Sequence, residues 1–301
     1  SAKIEGNVTI SSAPTEAELK TINDGTNASL QIPAANQTFS ASAAVLAAAL
    51  TGTVTGPGSA ALSGAVTVSD SATDNVAATL LSTIATGTGG VVTVTSAINI
   101  TGTTDQVIAA LDTNGVIAAT ATITLDDTPS LANLKTINDA TAGSIKIANG
   151  SQTYSGSAAV LAAALDGTVT DGSGNPLTGN MTLSVAGGNP NAVQLQTINN
   201  ATTGNVIIPD KTVTLSGTRA VLVEALAGTV TNAASEKITG TVTISAGGGN
   251  PTAAQLKIIN DSIDGAIVVP SKAVALSGTA AVLAAALTGT VTDAASAKIE
   301  G

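Results

Sequence analysis

Two hydrophobic rhythms alternate along this chain. Ile238-Thr-Gly-Thr-Val-Thr-Ile244 sets apolar and polar residues in turn, the period of two that marks a half-buried strand. Ala246 to Gly249 reads as a loop, and Leu256 and Ile259 then stand three apart within 254–263, a helical spacing. Asn250 reads as the N-cap of that helix, with Pro251 at its first position, a device repeated at Asn189-Pro190. Gly265 reads as its left-handed terminator, with Gly90, Gly143 and Gly204 at matching places and Ala28 as the exception. Residues 266–270 predict the next strand, ended by Pro270 as by Pro209 and Pro33, because proline donates no ladder bond. Residues 274–276 predict a second short strand. Residues 279–287 predict a second helix, with Leu283 and Leu287 on one face and alanines filling the rest at little entropic cost. Gly289 closes it, as do Gly52, Gly167 and Gly228 at matching points.

These rhythms recur at a fixed distance. Ile22, Ile84, Ile137, Ile198 and Ile259 share one motif and lie 62, 53, 61 and 61 apart. Leu50, Leu111, Leu165, Leu226 and Leu287 share the other and lie 61, 54, 61 and 61 apart. A fixed internal period is read before anything else, because it overrides expectations from length alone. The chain is therefore one continuous array over 1–301, with units at 1–55, 56–117, 118–170, 171–231 and 232–292, and 293–301 opening the next. Each unit is two related halves of strand, turn, strand and helix. The third unit is short. It lacks the segment that stands at 293–298 and, as its counterpart, at 171–176, which marks that segment as a surface loop. Ser1–Gly6 is identical to Ser296–Gly301 and neither end shows a polar capping repeat, so the expectation is a segment of a longer tandem array or one turn of a repeating polymer.

Strand and helix alternating at this period predict parallel strands joined by helical crossovers. A half-unit has too little core to stand alone, but about ten stacked halves bury a continuous one. The expected fold is an elongated parallel α/β solenoid. A string of immunoglobulin-like sandwiches fits poorly, because Ala-Val-Leu-Ala-Ala-Ala-Leu is a strong helix former.

Composition narrows the function. There is no His, Cys or Trp, and there is one each of Met, Tyr and Phe, so most nucleophiles, proton shuttles and soft metal ligands are missing together. A net charge of −10 opposes binding to nucleic acid and to anionic lipid. No apolar run approaches the roughly 20 residues that cross a bilayer, so membrane insertion is not expected. The chain opens on Ser1 with no signal-peptide pattern.

The remaining candidates are few. Asp171-Gly-Ser-Gly-Asn175 has the oxygen spacing that opens a calcium loop, but Thr182 stands where the closing acid belongs, so a Gly- and Asn-rich turn is the better reading. Asp70, Asp126 and Asp127 stand just before helices and read as N-caps. Asn23, Asn138, Asn199 and Asn260 recur near one helix end, either as a ligand-binding row or, as repetition favours, as an amide ladder bonding the turns between coils. The Thr-x-Thr pairs at 53–55, 168–170, 229–231 and 290–292 would form files on the outer sheet face if the central valines point inward. Such files suit ice, although plain β-propensity explains them too, and Ala118 and Ala119 break them in the third unit. Tyr154 and Phe39 occupy equivalent places and read as local packing. The Asn-x-Ser/Thr triplets are expected by chance here, and no phosphate loop, nucleophile elbow or arginine cluster is present. No catalytic, cofactor or metal residue is assigned.

Ile-Asn-x-x-Thr-x-Gly-x-Ile-x-Ile followed by Ser-Gly-(Ser/Thr)-x-Ala-Val-Leu-x-x-Ala-Leu-x-Gly-Thr-Val-Thr resembles the repeat regions of very large secreted and cell-surface proteins of bacteria, those of marine cyanobacteria in particular. The likeness spans nearly the whole chain. It implies an extracellular or cell-surface protein, often exported by a type I route, that serves adhesion, surface coating, motility or fibre formation. Such proteins often carry calcium-binding nonapeptides, which this chain lacks. The functional expectation is a non-enzymatic structural array, the stalk of a giant adhesin or the subunit of a surface filament. Its partners would be further coils of its own kind or a surface polysaccharide. The alternative is a binding module that uses the outer sheet face for glycan or ice.

Overall fold

Residues 3–299 are described by a computed structural model, in which the chain forms two compact units, one up to Ala148 and one from Asn149. The boundary falls inside the third repeat. The fold is α/β, with short helices set between short strands.

In the first unit the helices are α1 (Glu16–Asp24), α2 (Ala43–Leu50), α3 (Ala78–Thr86), α4 (Thr104–Ile108) and α5 (Leu131–Ala140), and α4 runs on into a π turn, Ala109–Thr113. Three parallel ladders accompany them. Val8–Thr9, Leu30–Gln31 and Val54–Thr55 make the first. Phe39–Ala41, Val66–Val68 and Val92–Val94 make the second. Asn75–Ala77, Asn99–Gly102, Thr122–Leu125 and Ile145–Ile147 make the third.

In the second unit the helices are α6 (Ala158–Ala164), α7 (Ala192–Ala201), α8 (Arg219–Ala225), α9 (Ala253–Ser262) and α10 (Ala280–Ala286). One parallel ladder runs Tyr154–Gly156, Met181–Leu183, Val206–Ile208, Val230–Asn232. The other runs Leu215–Gly217, Val242–Ile244, Ile267–Val269, Val291–Asp293. The two are interlaced: Leu215–Gly217 precedes Val230–Asn232 in the chain, yet it opens the second ladder while Val230–Asn232 closes the first. The alternation of the sequence sets each strand's faces. Met181 and Leu183 are buried while Thr182 between them is half-exposed, and Val242, Thr243 and Ile244 repeat that pattern. The helices bury a stripe at helical spacing, as with Ala253, Leu256 and Ile259 of α9. Within each unit, consecutive helices pack on one another.

Several expectations need correction. The order within a half-unit is strand, helix, strand, as in Met181–Leu183, α7 and Val206–Ile208. The N-cap of α9 is Thr252, not Asn250, because Thr252 and Gln255 bond reciprocally in a capping box, which Asn250 with Ala253 three residues on cannot make. Asn191 with Gln194 does the same for α7 in place of Asn189. Residues 274–276 form no strand. Their counterparts Phe39, Tyr154 and Leu215 each take a ladder partner further along the chain, and the partner of Leu276 at the same spacing would fall beyond residue 301.

Gly90, Gly143, Gly204 and Gly265 are not left-handed. Each lies so close to the strand of the preceding coil that a Cβ would press on a carbonyl oxygen there, 1.9 Å from that of Gly64, 2.0 Å from Ala121, 2.5 Å from Gly179 and 2.1 Å from Gly240 respectively. Gly52, Gly167 and Gly289 do adopt positive φ, and Gly228 does not.

Candidate functional site

The expected surface loop is a recurring closed turn. The Asp171 Oδ1 accepts from the amides of Ser173 at 2.9 Å and Asn175 at 2.8 Å, bonds that hold its carboxyl below the ordinary aspartate range. Asn232 and Asp293 bond their own turns in the same way. Antiparallel bridges, Thr170 to Pro176 and Thr292 to Lys298, close two of these turns, and residues 172–176 are exposed. The carboxylate that would open a calcium loop is thus folded back on its own turn. Among the described residues no three His, Cys, Asp or Glu side chains converge as metal ligands, and no helix is long and apolar enough to cross a membrane.

Asp70 and Asp127 do cap helices, but those of the preceding coil. Asp70 Oδ2 accepts from the Ala43 amide at the start of α2, and Asp127 Oδ1 accepts from the amide and hydroxyl of Thr104 at the start of α4. Ala77 and Ser130, not these aspartates, precede α3 and α5. Sequence order alone pointed to the following helix, whereas the fold returns each strand end to the helix before it.

The asparagine row also works between coils. Asn23 Nδ2 donates to the Ala48 carbonyl at 2.9 Å and the Thr51 carbonyl at 2.7 Å, at the end of α2. Asn199 Nδ2 donates to the Glu224 carbonyl at 2.7 Å at the end of α8, and Asn260 Nδ2 to the Ala285 carbonyl at 2.7 Å at the end of α10. Each amide therefore satisfies carbonyls that the next helix leaves open at its C-terminus. Asn138 stands at the same point of α5.

The threonine pairs do not form continuous files. Val54, Val169, Val230 and Val291 are buried, so the flanking threonines do face away from the core. Laterally, however, Thr231 lies beside Ile207, and Thr292 beside Val268. Thr55 lies beside Gln31 in the first unit, so the threonines of these three pairs have no threonine beside them in their ladders, although elsewhere Thr67 lies beside Thr93 and Thr101 beside Thr124. Phe39 and Tyr154 sit on the inner face opposite Val66 and Met181, 2% and 3% exposed, as packing residues.

Two apolar grooves break the regularity, and neither was assigned from sequence. In the second unit, Leu276, Leu283, Leu287 and Ile299 line an open groove of about 680 Å³. Leu287 is 45% exposed, whereas its counterparts Leu50, Leu165 and Leu226 are at most 1% exposed. In the first unit, Ile10, Pro14, Ala17 and Ile22 line a groove of about 450 Å³. Ile22 is half-exposed there, while Ile84, Ile137, Ile198 and Ile259 are buried. Leu287 and Ile22 thus differ from the buried counterparts named here, being uncovered among the described residues.

Compared with known proteins, the chain matches no family model, no curated protein and no solved structure.

Proposed function

We propose that this chain is a non-enzymatic structural array, a solenoid of stacked α/β coils that serves as the stalk of a bacterial surface adhesin or the subunit of an extracellular fibre. One observation carries the reading: Asn23, Asn199 and Asn260 make the same bond from one helix to the end of the next. A coil of this kind is incomplete alone and supplies what the next one lacks, so copy number sets length. The acidic surface keeps such an array dispersed. The two ladders interlaced within the second unit support the reading, because a strand of each coil is held by its neighbour. The glycan or ice alternative is weaker, since Ile207 and Val268 interrupt the threonines and the one Phe and one Tyr are buried.

The test is Leu222→Ala. Leu222 is fully buried in α8, so the truncation is expected to cost roughly 2–5 kcal/mol through lost transfer energy and a cavity. In a stacked array, hydrogen exchange should accelerate in α8 and its neighbours α7 and α9 and leave distant coils protected. Uniform loosening would replace the array with a single cooperative core. Labelling of intact cells with an antibody against the exposed 172–175 turn checks the location.

A further inference from the structure

We propose that the cleft between the C-terminal ends of α6 and α7 binds a small aliphatic ammonium ion, held by oxygens whose counterparts in the next repeat are bonded internally.

The cleft measures about 400 Å³ and lies wholly within the second unit. Residues 165–170, just past α6, line one side, and Thr197, Asn200 and Ala201 of α7 line another, with Pro176 among the lining residues.

The next repeat shows what closes such a place. There Ser262 Oγ, in the last turn of α9, donates to the Leu226 carbonyl just past α8 at 2.7 Å, and Lys237 Nζ donates to the Asp261 carbonyl at 2.6 Å. The counterparts of Ser262 and Lys237 are Ala201 and Pro176, and neither side chain can donate. One hydroxyl and one ammonium are thus missing from the cleft together. Leu165 and Asn200, the counterparts of Leu226 and Asp261, receive no hydrogen bond at their carbonyls among the described residues. Two further replacements add oxygen: Asp166 stands for Ala227, and Thr197 for Ile258.

The other polar groups are acceptors too. Asp166 Oδ1 accepts from the Gly167 amide at 3.1 Å, which leaves Oδ2 open. Asn200 Nδ2 donates to the Glu224 carboxylate at 3.1 Å, which leaves the amide oxygen open. Thr170, also in the lining, has a buried hydroxyl oxygen without a hydrogen-bond partner. An occupant that bonds such a group removes the cost of leaving it unpaired.

No nearby stretch of chain supplies the missing positive charge. Residues 147–210 include Asp166, Asp171 and Asp210 and no lysine or arginine, and Asp171 is folded back on its own turn. The carbonyls at two helix ends add negative potential. Oxygens with one open carboxylate suit a singly charged donor. Volume decides its kind. A water molecule takes up about 30 Å³ in the liquid, so a bare metal ion would leave most of the cleft unfilled. An ammonium on a short alkyl chain fills more of it and repeats the bond that Lys237 makes in the next repeat.

Isothermal titration calorimetry on the full chain, at fixed ionic strength, tests this with butylammonium and Nα-acetyllysine methylamide as probes. Saturable one-to-one binding is expected. A tighter butylammonium assigns a free amine as the ligand, and a tighter lysine derivative assigns a lysine side chain. Tetramethylammonium cannot donate a hydrogen bond and should bind at least about tenfold more weakly. Asp166→Asn, at an exposed position, should weaken binding by about tenfold or more. Pro176→Lys, which installs the lysine of the next repeat, should abolish it, and Ala201→Ser, which installs the serine, should weaken it. Circular dichroism identifies the variants that stay folded, and each of those carries the test alone. Asp210→Asn, outside the cleft, should leave binding unchanged. Absence of saturable binding, equal binding of tetramethylammonium or potassium, or binding that survives the cleft substitutions would each overturn the proposal. None of these outcomes bears on the array reading, which the local exchange pattern of Leu222→Ala decides separately.

Discussion

The side-chain amide of Asn199 donates to the main-chain carbonyl of Glu224 at 2.7 Å, joining the end of one helix to the end of the next. Asn199 is 7% exposed, so the bond is shielded from water. Removing the amide takes the shortest donor from the Glu224 carbonyl, which keeps the Ala227 amide at 3.5 Å. Asn199→Ala is therefore expected to destabilise the second unit by about 0.5–1.5 kcal/mol, the net worth of one hydrogen bond. Asn199→Asp should cost more at neutral pH, where a carboxylate would face a carbonyl, and should recover in acid as it protonates. Chemical denaturation of both variants at two pH values checks this. Equal losses at both would assign the effect to packing.

The glycines give a second prediction, because two kinds now stand apart. Gly265 has an ordinary backbone, but an added Cβ would lie 2.1 Å from the Gly240 oxygen, a main-chain atom that cannot move aside alone. Gly289 has φ of +77°, and an added Cβ there would meet the Asn260 Oδ1 at 3.8 Å, an ordinary contact. Gly265→Ala forces coils apart, with the roughly 1–3 kcal/mol cost of overpacking or more. Gly289→Ala incurs only the left-handed penalty, about 1–2 kcal/mol. Hydrogen exchange separates them: the first should also expose the strand around Gly240, and the second should act only at the end of α10.

Much of this fold was legible in the sequence, and the reason is the period. Burial of Leu222, Leu226, Ile198 and Ile259 follows from spacing alone, and helix limits fell within about two residues, the usual uncertainty. Pairing was not legible. Periodicity says that Thr182 and Ile207 each face away from the core, but not that they are neighbours across a ladder. The role of Gly265 was missed because a close approach between coils leaves no mark on the local pattern, while left-handed termination is the common reading of a glycine there. Thr252 as N-cap was legible: Thr-x-x-Gln is a capping box, and the Asn-Pro beside it drew the assignment two residues early. The open grooves were foreseeable only in outline.

Acid should weaken the protein. Glu18, Asp171, Asp210, Glu224 and Glu236 all have pKa values lowered by hydrogen bonds, in Glu236 first from the Lys211 ammonium and then from the Asn232 amide. A carboxyl with a depressed folded pKa adds stability above its unfolded value, near 4.5 for glutamate and 3.8 for aspartate, and loses it as pH falls through the folded value. The melting temperature is expected to stay level from neutrality to about pH 4.5 and to fall below it. Glu18, Glu224 and Glu236 are exposed and Asp171 and Asp210 half-exposed, so solvent screening keeps each contribution small. Glu236→Gln should flatten the acid slope slightly, and a melting temperature that rises on acidification would contradict the assignment.

Tyr154 gives the last prediction, and as the single tyrosine it can be followed alone. It is 3% exposed, its hydroxyl has no hydrogen-bond partner among the described residues, and burial pushes its pKa up to about 12. The ordinary value is 10.0, so between the two the unfolded chain ionises while the folded one does not. The unfolded state then binds fewer protons, and the stability present below pH 10 drains away as pH rises towards 12. Phenolate absorbance should therefore appear late, near pH 12 or together with unfolding. Phe39 fills the equivalent position 2% exposed, so the site accepts a bare ring. Tyr154→Phe removes an unpaired buried hydroxyl and is expected to stabilise the protein by about 1 kcal/mol at neutral pH, within the desolvation cost of such a group. It should also remove the part of the alkaline loss that tyrosine causes. A phenol that titrates near 10 in the folded protein, or a Phe variant less stable than the parent, would mean that the hydroxyl reaches water or a partner after all.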